Sequence, residues 1–120
     1  MPEGLIVMKY NERKGVDIQA KYPKGELKVS KETLMHVFNL HGFEEPGIAS
    51  LSINDVNIST YYSGKDTDYF IILVLNLLEN PDDFEKGLTD ISKEIIEHLE
   101  NKEYIEMLPS LFKQISIVPK

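Results

Sequence analysis

The sequence of 120 residues contains no cysteine and no tryptophan, and it has only three histidines. The lack of cysteine excludes disulfide bonds, thiolate metal sites, iron–sulfur clusters and cysteine nucleophiles. Basic residues are also scarce, because thirteen Lys and Arg stand against twenty Asp and Glu, for a formal net charge of −7. A broadly basic nucleic-acid-binding surface is therefore not expected, since binding to phosphates needs a surplus of cations.

Long hydrophobic runs are missing as well. The longest apolar run covers residues 69–75 and resumes only at Leu77 and Leu78, whereas a membrane-spanning helix needs about 20 apolar residues. The N-terminus, Met1-Pro2-Glu3-Gly4, lacks the basic start of a signal peptide. Because 42% of the residues are hydrophobic, enough to bury a core, we expect one soluble, cytoplasmic domain over residues 1–120.

The spacing of apolar residues predicts the element order β-β-α-β-β-β-α-α. The predicted strands cover 4–10, 16–22, 48–53, 58–63 and 69–77, and the predicted helices cover 31–41, 81–101 and 102–114. The first and fifth strands are apolar on both sides and should be central, with helices covering both faces of the sheet. The second strand alternates strictly, which places Val16, Ile18, Ala20 and Tyr22 on one face of a strand at or near a sheet edge.

Turn and capping residues set the predicted boundaries. Gly15 supplies the positive φ that closes the first hairpin, and Ser30 and Gly42 cap the two ends of the first helix. Asn80 caps the second helix, with Pro81 in its first position and two carboxylates in its first turn. Pro109 is expected to kink or split the last helix.

The predicted element order resembles the longin fold. Residues 4–10 (GLIVMKY) and 20–23 (AKYP) are similar to the start of stand-alone archaeal longin-like proteins, and 69–73 (YFIIL) and 81–85 (PDDFE) to their last strand and second helix. The resemblance implies an α+β fold with a five-stranded antiparallel sheet of order 2-1-5-4-3. It also implies that the first helix covers one face and the last two helices the other. The roadblock fold is close, but its chains place a helix before the first hairpin.

Longin domains act as binding modules in vesicle-fusion proteins, adaptor subunits, tethering complexes and small-GTPase regulators. The resemblance therefore implies a protein partner: a small GTPase, another longin or roadblock subunit, or a second copy in a dimer. The sequence stops at Lys120 without the coiled-coil segment of fusion longins, so a fusion role is not implied.

The residues that could carry chemistry have simpler structural interpretations. His36 and His41 are five apart and do not share a helix face as an i, i+4 metal pair would; Glu44 and Glu45 nearby leave only a weak metal hypothesis. His41 is expected to end the first helix as a favourable cation, and His98 to be exposed on an acidic helix face. Asp82 and Asp83 are expected to begin a helix rather than catalyse. We find no phosphate-binding loop or nucleophile elbow, and predict no enzyme activity, cofactor or metal.

Charge is distributed unevenly along the chain. Residues 79–106 hold ten acidic and three basic residues, whereas residues 9–31 hold seven basic and three acidic ones. The basic hairpin is either an ordinary solvated surface or a pole that orients an acidic partner, with peripheral contact to anionic lipid as a weaker hypothesis. The predicted partner-binding residues are Lys9, Arg13, Lys14, Val16, Ile18 and Lys21. Leu34, Val37 and Phe38 of the first helix are interpreted mainly as core.

Two function hypotheses remain. The first is a non-catalytic protein–protein interaction module, a subunit or regulator in a small-GTPase or trafficking-like assembly, which docks through an edge strand or a helix face. The alternative is a small-molecule sensor of related, profilin- or PAS-like architecture, with a pocket between the first helix and the sheet.

Overall fold

A computed structural model of the protein describes residues 2–11, 13, 15–23, 25, 29–41, 45–53 and 55–116. These residues form five strands and three α-helices. The strands are β1 (Gly4–Asn11), β2 (Gly15–Tyr22), β3 (Gly47–Ile53), β4 (Val56–Tyr62) and β5 (Tyr69–Leu75). The helices are α1 (Lys31–Leu40), α2 (Glu85–Glu97) and α3 (Glu103–Ser116), with 3₁₀ turns at Pro81–Phe84 and Glu100–Lys102.

The five strands form one antiparallel sheet in the order β2-β1-β5-β4-β3. The predicted α+β class, antiparallel pairing and strand order 2-1-5-4-3 are confirmed. β1 and β5 lie next to each other at the centre, where Leu5 faces Leu73 and Met8 faces Phe70. Both strands are buried along most of their length, which their apolar side chains on both faces require.

Helices cover the two faces of the sheet separately. On the first, which we call the α1 face, Leu34 and Val37 of α1 contact buried strand residues: Ile6, Met8, Ile58, Tyr62, Phe70, Ile72 and Val74. On the second, the α2–α3 face, residues of α2 and α3 contact Leu5, Val7, Tyr61, Ile71, Leu73 and Leu75. The two clusters contain most of the buried apolar surface, so the sheet itself divides the core into two layers.

A β-bulge in β2 overturns the predicted alternation of that strand. Val7 pairs with Ala20 but Met8 pairs with Ile18, so Gln19 is an extra residue between them. Because an extra residue reverses the side on which the preceding side chains lie, Ile18 shares the α1 face with Met8, and Ala20 shares the opposite face with Val7. The prediction of one common face for the apolar residues of this strand is wrong, although its place at the sheet edge is confirmed.

Helix α1 begins as predicted. The Ser30 hydroxyl accepts a hydrogen bond from the backbone N–H of Thr33 at 3.1 Å, and the helix ends at Leu40 with His41 as its C-cap. The predicted Gly42 cap lies outside the described residues. None of the helices in the described part of the chain has the length and apolar content that a membrane crossing requires.

The second helical region is divided more finely than the sequence pattern indicates. Asn80 caps the segment as predicted, since its side chain accepts from the N–H of Asp82 at 3.1 Å, but the first turn is 3₁₀. α2 then ends at Glu97, four residues before the predicted boundary. The chain changes direction there, and this allows Tyr104 and Leu108 to pack against the core. Pro109 lies within α3, which continues to Ser116 and is therefore not split.

Gly15 offers a test of the hairpin. Its φ of 80° lies where a side chain clashes with the backbone, so Gly15→Ala should lower the free energy of unfolding by about 1 kcal/mol or more. Gly47→Ala is the control, because β3 holds extended backbone there and an added Cβ would meet nothing within 4 Å. Urea unfolding of both variants measures the difference, and equal losses would contradict the assignment.

Candidate interaction site

The outer edge of β2 is the best candidate for a functional surface. Among the described strands, β2 pairs only with β1. The outward backbone N–H and C=O groups of an edge strand are available to pair with another chain. The bulge at Gln19 divides this edge into two short stretches, which limits how many residues an added strand can pair with in register.

An apolar groove runs between this edge and helix α1. It is lined by Val16, Asp17, Ile18, Val29 and Leu34 and has a volume of about 320 Å³. The bulge is what places Val16 and Ile18 here, since it moves them to the α1 face. Ile18 remains 46% exposed, although a large aliphatic side chain gains free energy from burial. The groove therefore presents an apolar floor beside an edge strand.

The other wall of the groove comes from the start of α1. With Ser30 as N-cap, Val29 is the residue before the cap and Leu34 is the fourth helical residue. A contact between apolar residues at these two positions is the hydrophobic staple, which fixes the angle at which the chain enters the helix. Sequence reasoning treated Leu34 as core and did not single out Val29. The spacing of Val29 and Leu34 on either side of the Ser30 cap is the sequence signal that predicts this wall of the groove.

The six predicted partner-binding residues do not form a single surface. Val16, Ile18 and Lys21 belong to the α1 face, where Lys21 lies opposite Ile6. Arg13 is exposed in the hairpin turn, where its backbone N–H donates to the side-chain oxygen of Asn11 at 2.9 Å. Lys14 lies outside the described residues.

Lys9 lies on the opposite side of the sheet from the groove. It pairs with Tyr69 across the β1–β5 ladder, and its Nζ lies 5.4 Å from the centre of that ring. This distance allows a cation–π contact, which holds the ammonium group on the α2–α3 face. Lys9 and Lys21 therefore cannot bind one small partner surface through the same face of the sheet.

His41 is partly buried and hydrogen-bonded within the fold rather than a cation at a helix end. Its Nε2 lies 2.6 Å from Oγ1 of Thr60, and that hydroxyl donates to the carbonyl of Ala49 at 3.2 Å. Because the hydroxyl proton is used, His41 donates through Nε2. Burial lowers the pKa of His41 to about 4, so the ring is neutral at pH 7. Its place at the end of α1 is as predicted, but the predicted positive charge is wrong.

His98 and Tyr62 also have structural partners. His98 is the C-cap of α2, is partly buried, and donates from Nδ1 to the carbonyl of Glu94 at 2.8 Å, so the prediction of an exposed side chain is wrong. The Tyr62 hydroxyl donates to Asp68 at 2.7 Å, and burial, with this carboxylate beside it, raises the pKa of Tyr62.

No group of three or more His, Asp and Glu side chains within the described ranges could hold a metal ion. Glu44, part of the weak metal hypothesis, lies outside them.

Comparisons with known protein families, with curated proteins and with solved structures find no match for this chain.

The partly buried His41 predicts a pH dependence of stability. Its pKa is lowered from 6.5 in the unfolded chain to about 4 in the fold, so between these values the unfolded state binds the proton and the folded state does not. The free energy of unfolding should therefore fall as the pH falls from about 6.5 to about 4, and this contribution should level off below. Urea unfolding across this range measures the slope. His41→Gln, which cannot take up the proton, should show a shallower decline, and an unchanged slope would contradict the assignment.

Proposed function

We propose that this protein is a non-catalytic protein–protein interaction module with a longin-like fold. The observation that carries the proposal is the apolar groove between α1 and the β2 edge, where Ile18 is 46% exposed. A partner that lays an extended segment along β2 would gain main-chain hydrogen bonds from the edge and apolar contacts from the groove. The groove faces away from the α2–α3 layer, so a partner could bind there without disturbing the larger part of the core.

The side chains that sequence reasoning considered for chemistry support a binding role. His41 hydrogen bonds to Thr60, His98 caps α2, and Asp82 stands in the capped first turn before α2. The two histidines each have a hydrogen-bond partner that accounts for their position, and Asp82 lies where a carboxylate stabilises the start of a helix. This use of titratable groups favours a scaffold over an acid–base site.

The small-GTPase or trafficking context rests on the resemblance to longin domains and on the architecture. The observed order β2-β1-β5-β4-β3 is the one that the resemblance implies, and α1 lies on the opposite face from α2 and α3. The proposal therefore names a small GTPase, or another longin or roadblock subunit, as the class of partner to test first, with the chain acting as a subunit or regulator.

A small-molecule sensor is the second candidate, favoured by the same groove. Its volume of about 320 Å³ is near the lower end of ligand pockets, which are about 300–1,000 Å³. The groove lies between the first helix and the sheet, where the sensor hypothesis places a pocket. A protein partner is preferred because the groove is open along a strand edge, whereas ligand pockets usually enclose most of the ligand surface.

Ile18→Lys tests the proposed site. The side chain is half exposed, so the variant should fold, while the new ammonium group should block an apolar partner. The immobilised protein is incubated with small GTPases of its source organism, each in the GDP-bound and GTP-bound state. We expect the wild type to retain a GTPase in one of its two nucleotide states, and Ile18→Lys to lose that binding.

Leu40→Ser is the matched control, because Leu40 is also 46% exposed but lies at the other end of α1. It should bind as the wild type does. Equal absence of binding in both nucleotide states would count against the GTPase context. Retention of a bound GTPase by Ile18→Lys would show that the groove is not the binding site. A screen in which small apolar molecules raise the melting temperature of the wild type, but not of Ile18→Lys, would favour the sensor.

A further inference from the structure

A second groove lies between helices α2 and α3, in the layer on the opposite side of the sheet from α1. Its volume is about 550 Å³. Its floor is apolar, because the partly buried Met107 and the buried Leu111 of α3 line it. Three carboxylates line it as well, those of Glu94 on α2 and of Glu103 and Glu106 on α3. We call this surface the acidic groove.

The negative charge of the acidic groove is not balanced by neighbouring cations. No Lys or Arg is among the described residues that line it, and within the described chain none of the three glutamates forms an ion pair. His98 also lines the groove, and its Nδ1 donates to the carbonyl of Glu94 at 2.8 Å. This bond leaves Nε2 of the neutral ring as an acceptor. The groove therefore presents negative charge and a hydrogen-bond acceptor beside an apolar floor.

The position of Glu94 is unfavourable for the helix that carries it. Glu103 and Glu106 lie in the first turn of α3, where the helix dipole stabilises a carboxylate. Glu94 lies in the last turn of α2, where the dipole disfavours a negative charge, and that turn contains no basic residue. The fold therefore gains no electrostatic stabilisation from Glu94. A charge that lowers stability in this way is expected where a surface serves binding.

Shape and charge together select a basic helix as the occupant. Two helices form the walls of the acidic groove, so an added strand would find no strand edge to pair with. An amphipathic helix can instead lay its apolar face on Met107 and Leu111, as in the helix-in-groove mode of recognition. Lys or Arg on the flanks of that helix would meet the glutamates, and such complementary charges orient a partner and speed its association. Anionic lipid headgroups would be repelled by the same glutamates.

We propose that the acidic groove binds a basic amphipathic helix of a partner protein. The apolar residues of that helix lie on Met107 and Leu111, and its cations lie opposite Glu94, Glu103 and Glu106. This surface involves neither β2 nor α1. It is therefore a second interaction site beyond the α1–β2 groove, and it does not depend on the function proposed for that groove.

Charge reversal at Glu94 tests the proposal. The probe is a synthetic amphipathic helical peptide made of Leu and Lys, and fluorescence anisotropy measures its binding to the full chain at low and at physiological salt. Glu94→Lys should raise the dissociation constant about tenfold or more, because an attraction becomes a repulsion. In urea unfolding the same variant should be at least as stable as the wild type, since a cation is favoured at the C-terminal end of a helix.

Glu97→Lys is the matched control. Glu97 lies in the same last turn of α2 and is exposed as Glu94 is, but it is not among the described residues that line the acidic groove. Both variants carry the same net charge, so a general attraction between the acidic protein and the peptide would weaken equally in both. We expect Glu97→Lys to bind the peptide within about twofold of the wild type, as for an exposed charge outside the contact.

Three results would overturn the proposal. The first is a wild type that does not bind the Leu–Lys peptide, or two variants that bind it equally. The second is equal affinity for a peptide made of Lys alone, because that affinity would not use the apolar floor. The third is self-association of the wild type in sedimentation velocity that Glu94→Lys abolishes, which would identify a second copy as the occupant. None of these measurements involves Ile18→Lys, so failure here is distinguishable from failure of the proposed function.

Discussion

The burial of β1 and β5 on both faces is the constraint on which the rest of the structure depends. Their apolar side chains point to both sides of the sheet, and neither face can be left to water without losing the free energy of burial. One helix covers the α1 face and two cover the other. The edges of the sheet, which no helix needs to cover, are therefore where surface remains for other molecules.

Unequal cover of the two faces explains where the candidate site lies. α2 and α3 contribute buried residues along both helices to the α2–α3 face. α1 has ten residues, of which Leu34 and Val37 are buried, and it leaves the groove beside β2 open. The larger layer supplies most of the core. In the smaller layer, part of the apolar surface stays exposed to solvent. The bulge in β2 places Ile18 on this face of the sheet.

Most of the fold could be predicted from the sequence, because the local sequence signals for strands and helix caps agree with the burial of these elements in the structure. The unbroken apolar runs of β1 and β5 identified the central strands, and Ser30 and Asn80 marked helix starts that the structure confirms. The candidate site was predicted only in part. The predicted residues Val16 and Ile18 do line the groove, together with Val29, which is not among the predicted residues, whereas the predicted Lys9 lies on the other face of the sheet.

The sequence by itself determined which segments are strands and helices, where their caps lie, and which strands must be central, because each of these depends on neighbouring residues. Only the tertiary structure decided the face on which Ile18 lies and the charge of His41. The first depends on how β2 pairs with β1, where one unpaired residue reverses the side. The second depends on burial against Thr60, nineteen residues away. Both properties arise between segments distant in the chain, and no local pattern encodes them.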